Sequence, residues 1–233
     1  MKKPLAVLSI VAALSPFTAA QAGVITYDAN KALTATNWSD ALTFNKFDTA
    51  LGNLTSIKFD LVGTVRANGN AESMDGGPSI VTLTLGSLLS LTRPDSSTLV
   101  VTNPVFSQNF NFTSFDGLIN FGGTSGGTTG TVSVSDMNSF VSYSANDFSL
   151  FSALGGGAIN LGLFATGNSS GSGSGNLITQ ISTAAAGDVK VTYTYTSATA
   201  VPEPESLALV LAGLGLIGVA RRRARSKSLT VQS

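Results

Sequence analysis

Apolar and polar residues alternate with period two along much of this chain, the pattern of a strand with one buried face. In Ile57-Lys58-Phe59-Asp60-Leu61 the apolar side chains take one face and the charges the other. Leu83 and Leu85 oppose Thr82 and Thr84, and Phe110 and Phe112 oppose Asn109 and Asn111. Val189-Lys190-Val191-Thr192-Tyr193-Thr194-Tyr195 keeps every apolar residue on an odd position. Turn chemistry interrupts these runs at Asp75-Gly76-Gly77-Pro78, Arg93-Pro94-Asp95, Asp116-Gly117, Gly122 to Gly130 and Gly187-Asp188. Between the ends no window carries a convincing helical stripe. Asp136 to Leu154 comes nearest, and its serines leave a short helix, an irregular crossover or a strand open.

Strands every 8–12 residues with polar turns predict an all-β fold. A single sheet cannot hide its own apolar face, so a two-sheet antiparallel β-sandwich of Greek-key or jelly-roll type is expected. Residues 23–200 suffice for one such domain with a real core.

The two ends follow a different pattern. Lys2 and Lys3 precede an uncharged apolar run from Leu5 to Leu14, and small residues lead to Ala20-Gln21-Ala22. This is the tripartite layout of a secretory signal peptide, predicted as a helix over 1–22 and cleaved by signal peptidase between Ala22 and Gly23, with Ala20 and Ala22 fitting the peptidase. At the other end, residues 201–233 carry Pro202-Glu203-Pro204, then 14 uncharged residues from Leu207 to Ala220, then Arg221, Arg222, Arg223, Arg225 and Lys227. A helix over 207–220 is predicted as a short transmembrane segment of about 21 Å, against a hydrocarbon core of about 30 Å. The arginines should stay cytoplasmic, which places the domain outside the inner membrane. Each proline favours an extended chain, so 201–204 should be presented as an open strand.

Charge and composition narrow the chemistry. The chain has no His and no Cys, which removes imidazole bases, thiol nucleophiles, disulfides and ordinary zinc sites. Between Gly23 and Val201 six basic residues stand against eleven acidic ones, a net −5 that argues against a nucleic-acid partner. Paired carboxylates of a polysaccharide-degrading enzyme would have to come from Asp60, Glu72, Asp75, Asp95 and Asp116. Most of these sit beside Gly, Pro or Ser, where Asp bonds local backbone, so no catalytic residue and no cofactor is assigned. Asn68, Asn70 and Glu72 have the i, i+2, i+4 spacing that opens a calcium-binding EF-hand loop. Ser73 then stands where that loop needs Gly, and the three would share one face if they lie on a strand. The glycine-rich runs lack the Gly-Lys-Ser/Thr continuation of a phosphate loop. Trp38 is the single tryptophan, either core packing or, if exposed, a platform for a sugar ring.

The three-part tail resembles the PEP-CTERM sorting signal of Gram-negative bacteria, through Pro202, Glu203 and Pro204, the Gly-containing apolar segment, and Arg221 to Arg223. Glu205 departs from the small polar residue often found there. The resemblance implies recognition by exosortase, a membrane-embedded cysteine peptidase, after transient anchoring in the inner membrane. The processed domain would pass to the cell surface or the extracellular, biofilm-type matrix; an ordinary C-terminal membrane anchor is the alternative. Roughly Phe44 to Thr196 resembles the choice-of-anchor E domain of bacterial surface proteins. The residues that carry this are Phe59-Asp60-Leu61, Gly63-Thr64-Val65, Phe115-Asp116-Gly117, Phe121 to Gly126, Ser169 to Leu177 and Val191 to Tyr195. That family brings no catalytic residues. The expectation is therefore a non-enzymatic exported surface or matrix protein. A carbohydrate-binding module for exopolysaccharide is the first alternative, and the paired-carboxylate enzyme is the second.

Overall fold

The computed structural model describes residues 22–173, 175–198 and 210–217. Ala22–Thr196 forms one compact unit, and the C-terminal segment belongs to another. The first unit is built almost wholly of strands, in the order β1 (Ala22–Ala35), β2 (Trp38–Asn45), β3 (Phe47–Asp48), β4 (Gly52–Ser73), β5 (Ser79–Thr92), β6 (Thr98–Thr102), β7 (Val105–Phe112) and β8 (Gly126–Ser142). A helix α1 (Ala145–Phe151) follows, then β9 (Ser152–Ala153), β10 (Ala158–Gly167), β11 (Ser170–Ser172) and β12 (Leu177–Ser197).

The expected two-sheet, all-β architecture is present. One sheet has the order β1-β12-β4-β8, so the last strand lies between the first strand and β4. The second is organised around β5, with β7 and β6 along one edge, β11 and β10 along the other, and β2 beyond β10. A short parallel pair, β3 and β9, completes the unit.

Alternation decides which residues meet between the sheets. Ile57, Phe59, Leu61 and Val65 of β4 and Val189, Val191 and Tyr193 of β12 are buried. They face Leu85, Leu89 and Leu91 of β5 and Ile159, Leu161 and Leu163 of β10 in one core. A smaller cluster of Ala71, Val81, Leu83 and Phe112 lies apart from it, with Phe110 stacked on Phe112 at 5.6 Å. At about 25 cal/mol per Å² of apolar surface removed from water, this burial is the dominant favourable term.

One expected turn is absent and another is shortened. Gly187-Asp188 lies inside β12, and of the stretch Gly122 to Gly130 only residues up to Ser125 form the turn, while Gly126 to Gly130 opens β8. Gly187 serves packing here: a Cβ on it would lie 2.8 Å from Leu163 Cδ2. The strands are accordingly longer than expected, 22 residues in β4 and 21 in β12. The ambiguous stretch from Asp136 resolves into the end of β8 followed by α1, whose N-cap Ser144 accepts a hydrogen bond from the Asn146 N–H at 3.2 Å.

Within the expected helix 207–220, residues 210–217 are helical and expose Val210, Leu211, Leu214, Leu216 and Ile217. Among the described residues no helix is long and apolar enough to cross a membrane. The expected signal helix with Ala20, the Pro202-Glu203-Pro204 element and Arg221 to Arg223 lie outside the described residues.

Candidate functional site

Asn68, Asn70 and Glu72 do not form the loop an EF-hand reading requires; they are alternate residues of β4. Glu72 is buried, and its carboxylate is occupied by the protein itself. Oε2 accepts from the Phe121 N–H at 2.7 Å and the Asn120 N–H at 3.3 Å, and Oε1 accepts from Ser125 Oγ at 2.7 Å. Among the described residues no cluster of three acidic, His or Cys side chains is placed to hold a metal.

The other candidate carboxylates also serve local structure. Asp75 accepts from the backbone N–H groups of Gly175 at 2.8 Å and Asn176 at 2.9 Å. Its carbonyl accepts from the Phe115 N–H at 2.9 Å. Asp116 accepts from the Leu118 N–H at 3.0 Å, and Asp95 from the Ser97 N–H at 3.0 Å. Asp60 pairs with Lys58 at 2.7 Å. Glu72 and Asp75 together tie the 113–125 segment and residues 175–176 to the end of β4.

On the outer face of the first sheet lies an open groove of about 590 Å³, lined among others by Asp28, Asn30, Lys58, Asp60, Asp188 and Lys190. Lys190 sits 3.8 Å from its cross-strand partner Asp28, an exposed pair of little energetic weight. Elsewhere on this sheet, exposed hydroxyls pair across strands: Thr26 bonds Thr192, and Thr64 bonds Ser135. The groove's lining residues include no aromatic side chain.

The outer face of the second sheet is different. Phe164 of β10 is 40% exposed, and its ring lies over Gly162, where a Cβ would come within 2.8 Å of the ring edge. Its cross-strand partners are Ser39 and Ser90. Asn160, Thr43, Thr82 and Asn109 lie further along this face, joined as Thr43–Asn160 and Thr82–Asn109 hydrogen bonds of 2.8 Å each. The sequence carried a signal for this residue: Phe164 falls on the polar phase of β10, out of step with Ile159, Leu161 and Leu163. Trp38, by contrast, is half-buried, donates through Nε1 to the Ala185 carbonyl at 3.2 Å, and has the Lys31 ammonium 5.9 Å from its ring centroid. Lys31 also bonds Asp40 at 2.8 Å and holds that carboxyl below the usual range.

An ion pair with a buried carboxylate escaped the sequence reading. Arg93 grips Asp147 with two bonds, Nε to Oδ1 at 2.7 Å and Nη2 to Oδ2 at 2.9 Å, and Ser142 Oγ donates to the same carboxylate at 2.5 Å. The guanidinium lies 6.0 Å from the Phe140 ring. The pair ties the β5–β6 turn to α1.

The two ends of the unit converge. Ala22 pairs with Thr196 and Gly23 with Tyr195, so the expected signal-peptidase bond and the approach to the tail belong to adjacent strands. Residues 200–225 match the PEP-CTERM protein-sorting motif. The PEP-CTERM motif marks an exosortase-targeted, exported protein that is transiently anchored in the membrane. No curated protein matches the chain. Among solved structures, the chain is similar to a structure of the Gx strain of infectious bursal disease virus, with 13% identity and a TM-score of 0.20 over 77% of this chain and 37% of that one. It is also similar to the VP2 subviral particle of that virus (15%, TM-score 0.21, covering 77% and 38%). The chain spans less than half the length of these solved chains, and at such TM-scores nothing is carried over from them.

Proposed function

We propose that this chain is a non-enzymatic surface or matrix protein, a choice-of-anchor E-like sandwich whose PEP-CTERM tail is removed by exosortase so that the domain reaches the cell surface or extracellular matrix. The observation that carries this is the motif at residues 200–225, immediately after a β domain that ends at Ser197. The non-enzymatic part draws support from the carboxylates: Glu72, Asp75, Asp95 and Asp116 each accept hydrogen bonds from backbone N–H groups of nearby turns and loops. The test is cell fractionation of wild type against a variant with Pro202, Glu203 and Pro204 all changed to Ala. The proposal expects the variant to accumulate unprocessed in the inner membrane. Identical processing of the two would reject recognition through this element.

Carbohydrate binding is a second reading, and Phe164 favours it. An exposed ring among hydroxyl and amide side chains is the arrangement on which a pyranose face stacks. A glycan array comparing the mature protein with its Phe164→Ala variant distinguishes it: lost signal supports the reading, and absence of any signal from wild type removes it.

A further inference from the structure

The end of the sandwich from which the tail leaves carries exposed leucines. Leu51 closes a single 3-10 turn, Thr49–Leu51, and is 42% exposed; Leu154 is 83% exposed. Asp48 brings the two together: its carboxylate accepts from the Ala50 N–H at 2.9 Å and from the Gly155 N–H at 2.8 Å. Asp48 is also the ladder partner of Ala153. The last strand is adjacent, because Thr196 Oγ1 donates to the Asn53 carbonyl at 3.4 Å and Tyr195 packs on Phe47 at 5.0 Å. The single acid of this cluster is thus turned onto backbone donors, and Lys46 lines the hollow beside Leu51.

Chain length restricts where this end can go. Eight residues, 199–206, separate Ala198 from the apolar run that starts at Leu207. An extended chain covers at most about 3.6 Å per residue, so this tether reaches no further than roughly 30 Å. β4 begins near the same end and runs 22 residues, roughly 70 Å of strand at ~3.3 Å each, toward the loop that exposes Leu118 and Ile119. With residues 207–220 in a bilayer, the Leu51/Leu154 end is confined to within roughly 30 Å of the membrane surface, while the Leu118 loop is free to stand further away.

We infer that in the membrane-held precursor Leu51 and Leu154 insert into the interfacial layer of the lipid bilayer and dock this end of the sandwich on it. Two leucines alone bind a membrane too weakly to hold a domain. The short tether supplies the high effective concentration that makes the weak contact persist, and removal of the tail abolishes it. The contact is therefore a docking step that ends with processing. The inference rests on the tail being held in the membrane.

The chain lacks Cys, so single thiols are readily introduced. Leu154→Cys, Leu51→Cys and Leu118→Cys versions of the full-length precursor are labelled with an environment-sensitive nitrobenzoxadiazole dye. They are then reconstituted into phosphatidylethanolamine/phosphatidylglycerol vesicles with or without shallow-brominated acyl chains. The labels at 154 and 51 are expected to lose at least half their emission to the brominated lipid, and the label at 118 to lose none. Precursor that floats with the vesicles but shows no quenching at 154 and 51, or equal quenching at all three sites, overturns the inference. Precursor that fails to float overturns the membrane-held tail itself, and the docking step with it.

Discussion

Gly23 stands directly opposite Tyr195 in the β1–β12 ladder, and a Cβ on residue 23 would enter the tyrosine ring. That ring cannot swing aside freely, because it packs on Phe47 at 5.0 Å. Gly23→Val should therefore destabilise the domain by about 1–3 kcal/mol, as overpacking in a filled site does. Val24→Ala, at a 63% exposed neighbour, should change it little. Urea midpoints of the two variants check this.

The same ladder bears on export. With Ala22 paired to Thr196, the bond expected to be cut by signal peptidase lies inside a formed sheet. A peptidase needs its substrate strand free, so cleavage should precede the docking of β12. Purified precursor refolded before digestion should resist signal peptidase, while the same precursor in urea at a concentration the enzyme tolerates is cut. Equal rates would contradict the expectation.

Glu72→Ala would leave the Phe121 N–H and the Ser125 hydroxyl without their acceptor in a buried setting. A loss of about 2–3 kcal/mol is expected, since bonds to a charged acceptor are the stronger kind. Glu72→Gln keeps an amide oxygen for one donor and should lose less. Limited proteolysis adds a local readout: cutting within 113–125 should accelerate in the Ala variant before the rest of the sandwich opens.

The Arg93–Asp147 pair sets a pH dependence. Hydrogen bonding to the Arg93 guanidinium holds the Asp147 carboxyl below its ordinary value, with the Ser142 hydroxyl helping and burial opposing. A carboxylate depressed in the folded state adds stability above its unfolded value of about 3.9 and loses it as pH falls through the folded value. At the other extreme, burial pushes the Tyr193 phenol up, so its contribution is present below about pH 10 and fades as pH rises further. The urea midpoint should be level near neutrality and fall below about pH 4. In Asp147→Asn the unfolding free energy from the same urea titrations should start lower by about 3 kcal/mol, because Arg93 loses the carboxylate that pairs it, and its acid limb should be shallower.

The sandwich was legible in the sequence wherever a strand buries one face. Ile57 to Leu61, Leu83 with Leu85, and Val189 to Tyr195 all point inward on the phase their alternation dictates. Strand boundaries were less so, because the role of Gly187 depends on Leu163 arriving from a different sheet. Arg93 and Asp147 lie 54 residues apart, and Glu72 reaches partners 48 to 53 residues away. Such pairings follow from which strands become neighbours, and local composition does not encode that. The tail is the opposite case, since its signal is local and ordered along the chain, and the match at 200–225 falls where the proline, apolar and arginine elements stand.

Mass spectrometry of the protein recovered from its own cells tests the central claim most directly, because it reads both termini at once. The account predicts a first residue of Gly23 and a product that has lost Arg221 to Arg223, found outside the cytoplasm. An intact chain that still begins at Met1, carries those arginines and resides in the cytosol would contradict it.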